Sequence, residues 1–485
     1  MQAGRPLVLA LVALGSTAAA GVARAEGPVP ASAVLPQSLS LDDALRMFKT
    51  TGLELLIADA NVKSAEGQVL VNGASPNPGV SGTWGKAFTY TGNDPSCGWG
   101  GGAGYGPNPG PTPGNSAKCG PWSWNVSVTD NAAVEDLLSG KRDLRLKVAR
   151  NALAAAKMSR VDAERTLTLQ VEQAYLQVAQ ALLAEKFAKE VADSNVTLLE
   201  KVRVWLREGK TAITDADVAR METQKSESDQ ALDNARMNAR QARVALAFLL
   251  GVRGEVPDFD VDTHVLDFAM PGKLAGASET GMLKTAFEHR PDLIAAGYNL
   301  YSAQAQLALV HRQKFPDVAL SLGYAGGGLG SAQYGGSGTN APSTEPTLIF
   351  GLSTTLPVFY QLQGETRQAE AAVDTNSLQH AMTTKQVVSD VDTAFAAFTT
   401  TQRLVARMEK GEPDANPPVR PILQSAKVAL DITHLQWERG AASLTDFLLA
   451  LQTYIATKVE YYGDLASYWT SVFQLEAAVG TELRR

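Results

Sequence analysis

Two periodicities alternate along the chain. From Leu39 to Ala74 the pattern predicts helix, opened by Ser40-Leu41-Asp42-Asp43 and closed before Pro76. The period then drops to two. Val80, Gly82, Trp84, Phe88 and Tyr90 fall on one side, with Ser81, Thr83, Gly85, Ala87 and Thr89 on the other. Beyond residues 91–120, Trp122, Trp124, Val126 and Val128 alternate with Ser123, Asn125, Ser127 and Thr129. Strands are therefore expected at about 78–91 and 121–130, each with an aromatic-rich apolar face and a small polar one. Such a pair is either half of a sandwich core or a piece of a membrane barrel.

The helices favour the barrel. From about Leu144 to Leu206 there is neither Pro nor Gly, and Leu167, Val171, Tyr175, Val178 and Leu182 are spaced by four and three, as a packed helix seam requires. At 1.5 Å per residue that helix is roughly 95 Å long. The turn Gly209-Lys210-Thr211-Ala212-Ile213-Thr214-Asp215 reverses it into a second helix, Thr214 to Leu250. Gly suits the left-handed end of the incoming helix, Thr caps the outgoing one, and Asp sits in its first turn, where the helix dipole favours an anion. Gly440-Ala441-Ala442-Ser443-Leu444-Thr445-Asp446 repeats the pattern, between a helix reaching Trp437 and a last helix from Thr445 to Val479.

The whole program is duplicated. At an offset of 238, Leu45/Leu283, Leu55/Leu293, Asn61/Asn299, Ser64/Ser302, Gln68/Gln306, Pro78/Pro316 and Gly85/Gly323 match without a gap. A first repeat spans 26–251 with its helical tip at 207–214. After a connector at 252–278, the second repeat spans 279–480, with strands about 316–326 and 346–358 and its tip at 438–445, and leaves a tail of 481–485. Its long helix, from about Gln361, is interrupted at Gly411-Glu412-Pro413 and Pro417-Pro418.

Arg5, the apolar run Leu7 to Leu14 and Ala23-Arg24-Ala25 read as a secretory signal peptide over residues 1–25. Its removal takes Arg5 and Arg24, moving the formal charge from −7 to −9, and an acidic chain argues against a nucleic-acid partner. No segment carries 18 consecutive apolar residues. Cys97 and Cys119 bracket a Gly- and Pro-rich loop and, in an exported protein, are read as one disulfide worth on the order of 3 kcal/mol.

Four strands cannot close a barrel, and an open sheet in lipid would leave its edge N–H and C=O groups unsatisfied. Several chains must share one. Two chains would make only a narrow eight-stranded barrel. The expected architecture is therefore α+β: a trimeric 12-stranded membrane β-barrel, four strands per chain, continued by six helical hairpins as a long α-helical, coiled-coil-like tube.

The opening "SLDDAL…GLELLIADANVKSAEGQV", the strand exits at Gly140 and Gly364, the two tips, and the ends "ALAFLLGV" and "LEAAVGT", in duplicated order, resemble the TolC-like outer-membrane efflux protein family. The resemblance implies a homotrimeric exit duct, with the 12-stranded β-barrel in the outer membrane and the α-helical tube extending into the periplasm as a periplasmic tunnel. Its partners would be a periplasmic adaptor, an inner-membrane transporter and outer-membrane lipid, with no chemistry and no cofactor of its own. It also implies a constriction at the tips. Asp446 matches the first Asp of the family's ring, Leu449 stands where a second Asp is found, and Ala442 stands where an Arg would pair with Asp215. Trp437 occupies an aromatic position of that network, and reads equally well as a packing residue at a helix end. Asp446 and Asp215 also read as ordinary first-turn acids, and Asp217 as solvated. Glu208, Gly209, Lys210, Arg439 and Gly440 are the candidates for adaptor docking.

No GxSxG, Walker A or GxGxxG register fits the chain. His264, His289, His311, His380 and His434 show no i, i+4 pairing, so a metal site is not expected. The rival reading is a periplasmic helical scaffold or adaptor without a pore. Such a protein should show one hairpin, not two hairpins and two amphipathic strand pairs.

Overall fold

The computed structural model describes residues 32–86, 122–209, 213–327, 347–356, 358–412 and 418–484. The signal segment, Cys97, Cys119 and Lys210 lie outside them. The elements run β1 (Ser38–Leu39), α1 (Leu41–Thr51), α2 (Leu53–Gly73), β2 (Gly79–Lys86), β3 (Trp122–Thr129), α3 (Ala133–Ser139), α4 (Lys141–Arg207) and α5 (Asp215–Leu249). A connector holding β4 (Asp260–Val261) leads to α6 (Glu279–His289), α7 (Pro291–Gln313), β5 (Val318–Gly327), β6 (Thr347–Thr354), α8 (Gln363–Glu409), α9 (Ile422–Glu438) and α10 (Leu444–Val479). The chain is mostly helical with a small sheet.

That sheet is antiparallel, in the order β2-β3-β5-β6, so β2 and β6 are its edges. The register pairs Trp84 with Trp124, Val126 with Tyr324, and Leu322 with Phe350. Opposed residues share a face. One face therefore carries Val80, Trp84, Val126, Val128, Leu320, Leu322, Leu348, Phe350 and Leu352, and every one of them is exposed. Ser81, Thr83, Asn125, Ser127, Ser321 and Ser353 lie on the other with Ala319, Ala325 and Ile349, and there the Ser81 and Ser127 hydroxyls bond at 2.8 Å. Among the described residues no helix is long and apolar enough to cross a membrane.

The helix expected over Leu39–Ala74 is broken. Ser40 caps α1 by accepting from the Asp43 N–H, and Gly52, at ψ 117°, turns the chain before α2. A Cβ on Gly52 would lie 2.6 Å from the Phe48 carbonyl oxygen and 2.8 Å from the Phe48 ring, so a side chain here would require Phe48 to shift. At the offset of 238 the equivalent position is Arg290, also extended (ψ 118°) and followed by Pro291, which disfavours helical backbone in the residue before it. The same corner is made by different chemistry in the two halves.

The main core lies where both helical hairpins meet the connector. Phe48, Leu55, Val171, Tyr175, Leu246, Leu266, Leu293, Val391, Phe398, Tyr468 and Phe473 are buried there. The Tyr175 hydroxyl donates to the Leu39 carbonyl at 2.8 Å and accepts from the Asp262 N–H at 3.0 Å, clamping the parallel β1–β4 pair. Tyr468 donates to the Ala269 carbonyl at 2.9 Å. A second, separate core closes the tips, roughly 40 Å further along α4 by helix rise.

Candidate functional site

The tips are built from two helix stops and two helix starts. Glu208 ends α4 in helical backbone and Gly209 follows at φ +68°; Arg439 and Gly440, at φ +72°, end α9 in the same way. Thr214 then caps α5 in a reciprocal box with Asp217, and Ser443 caps α10 in the same kind of box with Asp446. The first tip takes five residues from glycine to cap and the second takes three.

This difference changes which residues correspond. Ser443, not Thr445, caps the last helix, and the structural counterpart of Asp446 is Asp217, not Asp215. Asp217 is buried, where solvation was expected, because its carboxylate accepts from the Thr214 N–H at 2.9 Å and the Thr214 hydroxyl at 2.7 Å. Asp215 is exposed one position into α5. Ala442 sits at the edge of the tip core and offers no cation to it.

Asp446 is exposed, and its carboxylate accepts from the Ser443 hydroxyl at 2.6 Å and the Ser443 N–H at 3.1 Å. Those bonds, the hydroxyl first, hold its carboxyl below the usual aspartate value. Leu449, one turn on, is also exposed, while Phe447 and Leu448 point into the tip core. The start of α10 thus presents an acid and a leucine on its outer side.

Trp437 belongs to the inner side. It is only 3% exposed, stacks on Phe447 at 5.0 Å and 9°, and lies 4.9 Å from Trp205. Its Nε1 is buried without a hydrogen-bond partner. Lys201 sits over the Trp205 and Trp437 rings at 5.0 and 5.6 Å and pairs with Glu438, tying α4 to α9. Arg220, bonded to Asp217 at 3.1 Å, reaches Thr445 at 3.5 Å, and Gln452 meets Gln224 at 3.3 Å. Sequence reasoning missed Lys201, Trp205, Arg220 and Phe447. The available signal was Lys201 and Trp205 at i, i+4, which share a helix face.

A family model described as "Outer membrane efflux protein" matches residues 52–252 and 282–481. The chain belongs to the outer membrane efflux protein family. It is an efflux duct of the outer membrane that extends into the periplasm. Solved structures share the efflux protein's fold: CusC (TM-score 0.67, 17% identity, 94% of this chain and 97% of that one), OprN (0.68, 16%, 92% and 91%) and the open state of MtrE from Neisseria gonorrhoeae (0.68, 18%, 92% and 90%). No curated protein matches the sequence significantly.

A second ionisable cluster of this efflux protein lies in the main core. Glu172, buried in α4, pairs with Arg484, which also holds Glu476 at 3.0 Å and lies 4.6 Å from the Phe473 ring. One guanidinium serves two carboxylates. Burial, with Glu476 nearby, pushes the Glu172 carboxyl up to about 7. Among the described residues no group of His, Cys, Asp and Glu is placed to hold a metal ion.

Proposed function

We propose that three copies of the chain, freed of residues 1–25, pool their four-stranded sheets into one twelve-stranded barrel. The carrying observation is the sheet itself. It has an exposed apolar face, a small polar face and two open edges, β2 and β6. In lipid each edge needs a partner, and the β6 edge of one copy can supply the β2 edge of the next. Twelve strands give a lumen wide enough to pass solutes, lined by Ser, Thr and Asn, with the apolar face toward lipid.

The two similar units, 26–251 and 279–480 around the connector 252–278, each add one helical hairpin to a periplasmic tunnel. Three chains contribute six. Asp446 and Leu449, outward on α10, form the constriction ring, with Asp215 near it and Trp437 supporting it from behind. Glu208, Gly209, Lys210, Arg439 and Gly440 form the docking edge for a periplasmic adaptor, and an inner-membrane transporter selects the substrate. The duct itself does no chemistry. Asp446→Ala should change cation block or single-channel conductance in planar bilayers, because three carboxylates around one axis concentrate cations. Wild-type conductance and block in that variant would remove the ring from the assignment while leaving the barrel in place.

A further inference from the structure

At the helix-side end of the sheet the usual distribution of side chains is reversed. All four strands meet helices there, with Gly79 opposite Thr129 and Val318 opposite Thr354. In α3, among the described side chains, Asp136 is turned inward, 5% exposed and paired with Arg145, while Val134 and Leu138, four apart and so on one face, point outward, Leu138 at 81% exposure. Lys141 is buried too, its ammonium bonded to the Phe315 carbonyl at 2.7 Å and Asp317 at 2.6 Å. The Phe315 ring nevertheless faces out, as do Leu356, Val358 and the fully exposed Phe359. Asp136 and Lys141 inside, with only the Asp317 carboxylate of their charged partners exposed, and apolar groups outside are an arrangement suited to the boundary of an apolar solvent.

We propose that this collar is seated in the periplasm-facing leaflet of the outer membrane, with phospholipid as its partner at the boundary of acyl chains and headgroups. Two features select lipid over a protein surface. The collar continues the exposed apolar face of the strands, whose first rungs are Val80, Val128, Leu320 and Leu352. The exposed cations Arg312 and Lys314 stand at the end of α7 beside it, Arg312 lying 5.9 Å from the Phe315 ring, placed to reach lipid phosphates. The membrane boundary then lies beyond the strand ends, at the level of α3 and residues 356–359. This inference rests on the barrel reading.

The test is photo-crosslinking in outer membranes, with p-benzoylphenylalanine in place of Leu138, Phe359, Trp84 or Met382 in the full-length protein. Trp84 reports on the sheet face; Met382 is an exposed apolar residue on α8, roughly 28 Å of helix rise beyond its start. The expected result is a mass gain of one phospholipid at 138, 359 and 84, and none at 382. Subunit-to-subunit adducts at 138 and 359, or no adduct there, with lipid still captured at 84, overturn the collar alone. Loss of lipid capture at 84 as well overturns the barrel reading itself.

Discussion

Trp437→Ala removes the centre of the tip core. Burial loss and the cavity left by a large aromatic cost about 3–5 kcal/mol, and the lost stack on Phe447 is included in that figure. Against it, the variant also removes an indole N–H that is buried without a partner, returning about 1–3 kcal/mol. The net, centred on about 2 kcal/mol, corresponds to a roughly 30-fold rise in local opening. Because Phe447 anchors the first turns of α10, the start of that helix, Asp446 and Leu449 included, should loosen. Hydrogen–deuterium exchange over residues 199–206 and 444–451 should accelerate accordingly, while the main core around Tyr175 and Phe398 stays protected. Trp437→Phe keeps a ring on Phe447 and drops the N–H, so it should stay within about 1 kcal/mol of the wild type. Unchanged tip exchange in Trp437→Ala, or equal damage from Trp437→Phe, would refute this reasoning.

Three further outcomes are expected. Trp84→Lys, on the exposed apolar face of β2 that the proposed barrel turns to lipid, should lower barrel stability by about 2–4 kcal/mol at mid-membrane depth, read by heating on semi-native gels, whereas Ser81→Lys on the other face should still assemble. Glu172 has a folded pKa raised from 4.5 to about 7, so the folded state binds the extra proton and stability falls as pH rises from about 4.5 through 7; Glu172→Gln should flatten that fall in melting temperature, and an identical pH profile would contradict it. Tyr175→Phe removes the hydroxyl shared by the Leu39 carbonyl and the Asp262 N–H, which still bond each other at 3.2 Å, and should cost about 0.5–1.5 kcal/mol, seen as faster exchange over residues 38–39 and 260–262.

What could be read from the sequence follows from how many residues repeat a signal. Strands such as Trp122–Thr129 alternate over eight residues, and α4 runs for 67 without a breaker, so either pattern stands out. The corner at Gly52 occupies one residue with helical periodicity on both sides, and is visible only once the Phe48 carbonyl is seen against it. The β1–β4 pair is two residues long and leaves no period at all. At the tips, aligning the glycines made Asp215 and Asp446 look equivalent. The two extra residues of the first loop show only in the caps that Thr214 and Ser443 make. The aromatic stack of Trp205, Trp437 and Phe447 draws on α4, α9 and α10, and no local pattern joins three helices so far apart in the chain.

The pooling of open sheets between subunits is tested most directly by native mass spectrometry of the protein extracted from outer membranes in detergent. The expected result is a single species of three chains that survives dilution and needs surfactant to stay dispersed. A single chain that remains monodisperse in plain buffer, with its apolar sheet face and both edges in water, would contradict it.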